Sequence, residues 1–150
     1  DASRPVFVES ESRKIGALAV PEALLVRMRA QGRCVFVTLP DAERVQLLLE
    51  EYGFFAQQAD RFCEHMTTLT ELRGKETVAR WQAMAHQGQW PQVFAELMAQ
   101  HYDPLYLRSM QRNFAGMAAA QPLLLGDGSA ATMHEAAAAL LSTHGSLANT

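Results

Sequence analysis

Most of the signatures by which a chain declares its chemistry are missing from these 150 residues. Cysteine is scarce. Cys34 and Cys63 are the only two, they form no C-x-x-C or zinc spacing, and in a cytosolic chain they read as buried free thiols. Basic excess is missing as well: 13 Lys and Arg stand against 16 Asp and Glu, a net charge of -3. That excludes a broadly cationic nucleic-acid surface and leaves room only for a local cluster of arginines. Apolar runs are short. Ala136 to Leu141, among the longest, falls far below the roughly 20 residues a spanning helix needs, and no basic segment followed by an apolar one opens the chain. A cytoplasmic location without a membrane partner is expected. The phosphate loop G-x-x-x-x-G-K-[ST] is absent too, since Gly74-Lys75 is followed by Glu76 and Gly126-Asp127-Gly128-Ser129 lacks the lysine. There is neither a Ser-His-Asp elbow nor a metal-ligand cluster in the sequence.

What is present is ordinary globular composition, 49% hydrophobic and 19% charged, enough for one domain with a full core. The stretch from Pro5 to Gly16 carries the densest functional signal. Val6, Phe7 and Val8 form an unbroken apolar run, the pattern of a strand buried on both faces, with Pro5 acceptable at its first position. Glu9, Glu11 and Arg13 then follow the strand's carboxyl end, where open α/β sheets bind ligands. A carboxylate so placed is one way to reach a magnesium ion or its water shell. The competing reading is an edge strand followed by a solvated charged loop.

The chain starts at Asp1 and enters this run within a few residues, which reads as part of a longer protein. Pro21 to Ala30 spaces Leu24, Leu25 and Met28 as a crossover helix, and Cys34 to Leu39 gives a second strand closed by Pro40, with Asp41 as the expected N-cap. A β-α-β opening implies parallel strands. Val45, Leu48 and Leu49 then mark a helix from Asp41 to Tyr52. Arg44 lies in its first turn, the wrong end for a cation on macrodipole grounds, so its guanidinium is either needed near the strand end or paired with a nearby acid.

Between Phe54 and Gln100 the periodicity is helical throughout, over Asp60 to Arg73, Glu76 to His86 and Pro91 to Gln100, and a helical insert over 54–114 is expected. Arg61, Arg73, Lys75 and Arg80 are either a basic face or scattered solvated charges. The segment His101-Tyr102-Asp103-Pro104-Leu105-Tyr106-Leu107-Arg108 crowds polar and aromatic groups around a proline. Pro104 should push Asp103 out of the α region, stopping one helix and reversing the chain, with Asp103 capping the next helix. His101 is a candidate acid or base. Tyr102, Tyr106 and Arg108 are either substrate-binding groups or hydrogen-bonded hinge residues. Pro122 to Gly126 is a third strand, followed by a Thr132/Glu135 capping box and an alanine-rich helix. The expected fold is α/β: a partial doubly wound parallel sheet of the P-loop NTPase type, lacking the P-loop, with an α-helical insert.

The strings PVFVESESRKIG, LPDAERVQLLLEEY and HYDPLY, in this order and at these separations, resemble the C-terminal part of the P-loop domain of the tRNA 2-selenouridine synthase family. The resemblance spans roughly residues 4 to 125. It implies a tRNA-modifying transferase in which an upstream rhodanese-like domain with a catalytic cysteine precedes the P-loop domain. Such an enzyme converts wobble 2-thiouridine to 2-selenouridine through a geranylated intermediate, with geranyl diphosphate and selenophosphate as substrates. Neither Cys34 nor Cys63 matches that catalytic cysteine, so the piece alone is expected to be inactive. Under this resemblance Glu9, Glu11 and Arg13 are the catalytic candidates, Arg44, His101, Tyr102, Tyr106 and Arg108 bind substrate, and magnesium assists the phosphorylated substrates. Two other classes stay open: a nucleoside monophosphate kinase-like phosphotransferase, whose lid the insert resembles in position, and a helical interaction module without chemistry.

Overall fold

The structure, a computed structural model, describes residues 5–10 and 13–145. It divides into two compact units, one formed by residues 39–109 and the other by the described parts of 1–38 and 110–150.

The 39–109 unit is helical. α2 (Asp41–Tyr52) leads through a 3-10 turn (Gly53–Gln57) into α3 (Ala59–Thr67), α4 (Thr70–Arg73), α5 (Lys75–His86) and α6 (Trp90–Leu97). A π-turn (Met98–Tyr102) then joins α6 to α7 (Asp103–Asn113). The expected helix over Asp60 to Arg73 is two helices, because Thr67 and Thr70 turn their hydroxyls back onto the backbone carbonyls of Cys63 and Thr67 at the break. α4 ends at Gly74, whose φ of 85° is open to glycine and strained for other residues.

The stripes spaced along these helices meet as predicted for amphipathic faces. Phe62, Cys63, Ala85, Trp90, Val93 and Phe94 form the buried cluster, with Leu48, Leu49, Phe55, Met66 and Leu97 packed around it. Phe62 stands edge-on to Trp90, with ring centroids 5.2 Å apart at 84°, the arrangement in which a positive ring edge meets a negative ring face. Trp81 is fully buried, so its indole N–H needs an acceptor. It donates to Glu96 Oε2 at 2.9 Å, and the same oxygen accepts from Arg80 at 2.5 Å and Gln100 at 3.2 Å. Chiefly through the Arg80 bond, these donors hold the Glu96 carboxyl below its ordinary range.

The other unit holds two small sheets. β3 (Val35–Thr38) and β4 (Gln121–Leu124) pair in parallel, with Val35 opposite Gln121 and Thr38 opposite Leu124. A parallel partner requires a long crossover, and here the chain between the two strands runs through the helical unit. β1 (Lys14–Ile15) and β2 (Leu18–Ala19) make an antiparallel pair turned by Gly16, at φ 60°. α1 (Glu22–Gln31) and α8 (Ala130–Gly145) complete this unit, with a 3-10 turn (Ala115–Ala119) packed beside α1. At that contact a Cβ on Gly116 would lie 2.7 Å from the Gly32 carbonyl oxygen, so only glycine fits without displacement.

Three expectations are corrected here. Val6, Phe7 and Val8 are not a strand: residues 5–10 have no regular structure and these three side chains are exposed, Val6 by 83%. A strand buried on both faces needs ladder partners and covering layers, and among the described residues Val6 to Val8 have no strand paired to them. The start of α8 is organised by Ser129 rather than by a Thr132/Glu135 box, since the Thr132 amide donates to Ser129 Oγ at 3.2 Å and the Ser129 amide donates to Asp127 Oδ1 at 2.8 Å. Similarly, Asp41 is the first helical residue of α2 and the cap position falls on Pro40, without a side-chain cap. The described residues thus form a helix-rich α/β protein with a small parallel sheet. None of its described helices is long and apolar enough to cross a membrane.

Candidate functional site

The helix path from Trp90 to Asn113 is unbroken, which is a further correction. Asp103 has φ -59° and ψ -46°, inside the α region that Pro104 should have denied it. A proline inside a helix removes one amide donor and drives its ring at the carbonyl four residues earlier. Widening one turn is an alternative to ending the helix: the Asp103 amide donates to the Met98 carbonyl, five residues back, and Met98 to Tyr102 form a π-turn. π-turns are rare and are frequently found at functional sites. The expected chain reversal at Asp103-Pro104 therefore does not occur.

Two arginines from other helices hold this turn. Arg44, in the first turn of α2, donates to both oxygens of Asp103, Nη1 to Oδ2 at 2.9 Å and Nη2 to Oδ1 at 2.5 Å, and also to Asp41 Oδ1 at 3.3 Å. This bidentate fork is the strongest geometry available to an arginine and a carboxylate. It offsets the cost of partial burial and raises the guanidinium pKa further above its ordinary value, the Asp103 hydrogen bond being the largest cause. On the other side Arg73, the last residue of α4, donates from Nε to His101 Nδ1 at 3.0 Å and from Nη2 to the His101 carbonyl at 3.4 Å. Nδ1 is then an acceptor, which places the proton of the neutral ring on Nε2. Burial first, and the Arg73 charge second, push the His101 pKa down, so the imidazole stays neutral at physiological pH.

Clamped in this way, the turn presents an aromatic face. Tyr102 closes the π-turn and Tyr106 lies one helical turn on in α7; their rings stack with centroids 5.7 Å apart and planes within 10°. Tyr102 is 47% exposed, Tyr106 half-buried and Arg108 exposed. Four of the five substrate-binding candidates, Arg44, His101, Tyr102 and Tyr106, thus meet at one turn, with Arg108 further along α7. Glu9 and Arg13 belong to the other unit. There Glu9 is exposed, Arg13 pairs with Glu22 at 3.2 Å with both side chains 67% exposed, and Glu11 lies outside the described residues. Among the described residues no three His, Cys, Asp or Glu side chains converge as a metal site.

Sequence reasoning placed Asp103 only as a cap and Arg73 only among scattered charges. The signal for Asp103 was available, because an arginine in a helix's first turn calls for a carboxylate from elsewhere. Arg73 had no such signal: its partner is a ring nitrogen and a carbonyl exposed by the π-turn, which the proline pattern argued against.

A family model described as the tRNA 2-selenouridine synthase AAA domain matches residues 1–86, more than half of the 150 residues. The matched stretch takes in Glu9, Arg13, Arg44 and Arg73 and ends before the π-turn. Neither a curated protein nor a solved structure matches the chain significantly. The chain belongs to the tRNA 2-selenouridine synthase AAA-domain family, with a function related to tRNA 2-selenouridine synthesis.

Proposed function

We propose that this chain is the part of a tRNA 2-selenouridine synthase that holds tRNA while the wobble base is modified, and that the Tyr102/Tyr106 face with Arg108 is where it touches the RNA. The observation that carries the proposal is the stacked, partly exposed tyrosine pair on a turn fixed by two arginine clamps. Single-stranded RNA is read by stacking its splayed bases on aromatic faces, with arginines on the phosphates. A stacking face is useful only if it is rigid before the base arrives, and the Arg44–Asp103 and Arg73–His101 contacts supply that rigidity. Arg44 and His101 act in this reading through the turn they hold.

The reaction follows the family. The sulfur of 2-thiouridine displaces diphosphate from geranyl diphosphate, forming a carbon–sulfur bond; selenium from selenophosphate then adds at the same base carbon, the base carbon–sulfur bond breaks with loss of geranyl thiol, and the selenium–phosphorus bond breaks with water taking up the phosphate. An upstream rhodanese-like domain and the P-loop half of the sheet would be other parts of the same protein. Both phosphorylated substrates need cations. Arg13 is suited to this because its exposed pairing with Glu22 is worth about 0–1 kcal/mol and yields readily to a phosphate. Glu9 and Glu11 precede it in sequence as the candidate acids.

The test is binding of unmodified tRNA by the wild type and by the Tyr102→Ala, Tyr106→Ala and Arg108→Ala variants across a salt series. Loss of a stacking tyrosine should weaken binding by about 1–3 kcal/mol. Loss of Arg108 should reduce the slope of log affinity against log salt by about one. Wild-type affinity and slope in all three folded variants would remove the RNA contact from this face.

A further inference from the structure

The helical unit contains a second cluster of reactive groups, separate from the π-turn. Cys63 of α3 and His86, the last residue of α5, are brought together by helix packing, with Sγ 3.4 Å from Nε2. Asp60, one turn before Cys63 on α3, has Oδ1 4.0 Å from the His86 Nδ1 on the far side of the ring. The order thiol, imidazole, carboxylate is that of a nucleophile, its general base and the group that stabilises the imidazolium formed. The sulfur also lies 3.9 Å from the Gln82 carbonyl, an interaction that keeps it turned toward α5.

We propose that Cys63 is a peroxide-reactive thiol, with His86 as its general base. Burial, and secondarily the Asp60 charge, raise the thiol pKa, so Cys63 rests as S–H and its reaction depends on a base in contact. His86 Nε2 takes the thiol proton while the sulfur attacks one oxygen of a hydroperoxide. The S–O bond forms, the O–O bond breaks, and the departing oxygen takes the proton back from the imidazolium and leaves as water or an alcohol. Sulfur is oxidised by two electrons to a sulfenic acid and the peroxide is reduced by two. Access selects the reagent. Cys63 is only 9% exposed while His86 is exposed, so the proposed reagent is a small hydroperoxide entering beside the imidazole, and a bulky disulfide is excluded. Because Cys63 lies in the buried cluster with Phe62, Trp90 and Phe94, the added oxygen also enters the core of the unit.

The experiment is hydrogen peroxide treatment of the whole chain, folded and in urea, followed by transfer into urea with dimedone and mass spectrometry of the Cys63 and Cys34 peptides. An inert buried thiol reacts more slowly folded than unfolded; an activated one reacts faster. The expected result is that Cys63 is oxidised roughly ten-fold faster in the folded chain than in urea, because burial takes back part of the ~10²-fold that a positioned general base supplies. Cys34 should show no such gain. His86→Ala should abolish the gain and added imidazole should restore part of it, which a purely packing role for His86 would not produce. Oxidation of Cys63 no faster folded than unfolded, or an unchanged rate in folded His86→Ala, overturns the proposal. The first comparison needs no variant to fold.

Discussion

The Arg44–Asp103 fork offers the sharpest test of whether the π-turn is held from outside or stands by itself. Exposed ion pairs contribute about 0–1 kcal/mol, whereas a hydrogen bond to a charged group contributes about 1.5–3 kcal/mol. The two side chains are 28% and 31% exposed, between the surface and buried cases, and the pair is bidentate. A coupling of about 1–2 kcal/mol follows. It should be measured as a double-mutant cycle with Arg44→Met, Asp103→Asn and the double variant. Methionine retains the apolar stem and asparagine retains shape without charge. In urea, at a denaturant slope of about 1.5 kcal/mol/M, a loss of ~1.5 kcal/mol lowers the midpoint by about 1 M, and in the double variant the second loss should be mostly absent. A coupling below ~0.3 kcal/mol, within additivity error, would show that the fork adds nothing and that the π-turn stands without it.

Gly116→Ala should cost about 1–3 kcal/mol, the range for overpacking, because its Cβ would lie 2.7 Å from the Gly32 carbonyl oxygen; thermal unfolding reads it, and an unshifted midpoint would contradict the close approach. Glu96→Ala should destabilise by about 1–3 kcal/mol by leaving the buried Trp81 N–H unpaired, visible as a lower urea midpoint. His101 gives a pH dependence. Its folded pKa lies below its unfolded value of about 6.5, so the unfolded chain binds the proton first. Its contribution to stability is complete above that value and is lost as pH falls through it. Relative to His101→Gln, the wild type should therefore lose stability on acidification below about pH 6.5, and parallel pH curves would refute it.

The helical half was legible because its signal is local. The spacings of Phe62 and Met66, Trp81 and Ala85, and Val93, Phe94 and Leu97 name a face, and faces of neighbouring helices must meet. β3 and β4 were legible for a similar reason, as short apolar runs bounded by proline and glycine. Val6 to Val8 have the same composition but no partner strand among the described residues, and composition alone cannot supply one. The π-turn was hidden because the proline rule is a statement about the cheapest conformation of a dipeptide. Here the Arg44–Asp103 and Arg73–His101 bonds, contributed by residues 59 and 28 positions away in sequence, favour the costlier one. The candidate site was legible as a list of residues and illegible as an arrangement.

A π-turn is a helix carrying one residue more than its turns require, and this sets the rotational phase of everything after it. Each residue advances an α-helix by about 100°, so Tyr106 faces where it does because five residues, Met98 to Tyr102, fill the wide turn. Substitutions there change chemistry and leave phase alone. Removing a single residue before Tyr102 would let the turn relax to α geometry and rotate Tyr102 and Tyr106 together by about 100° relative to α6. The length of this segment is thus under a stricter constraint than its composition.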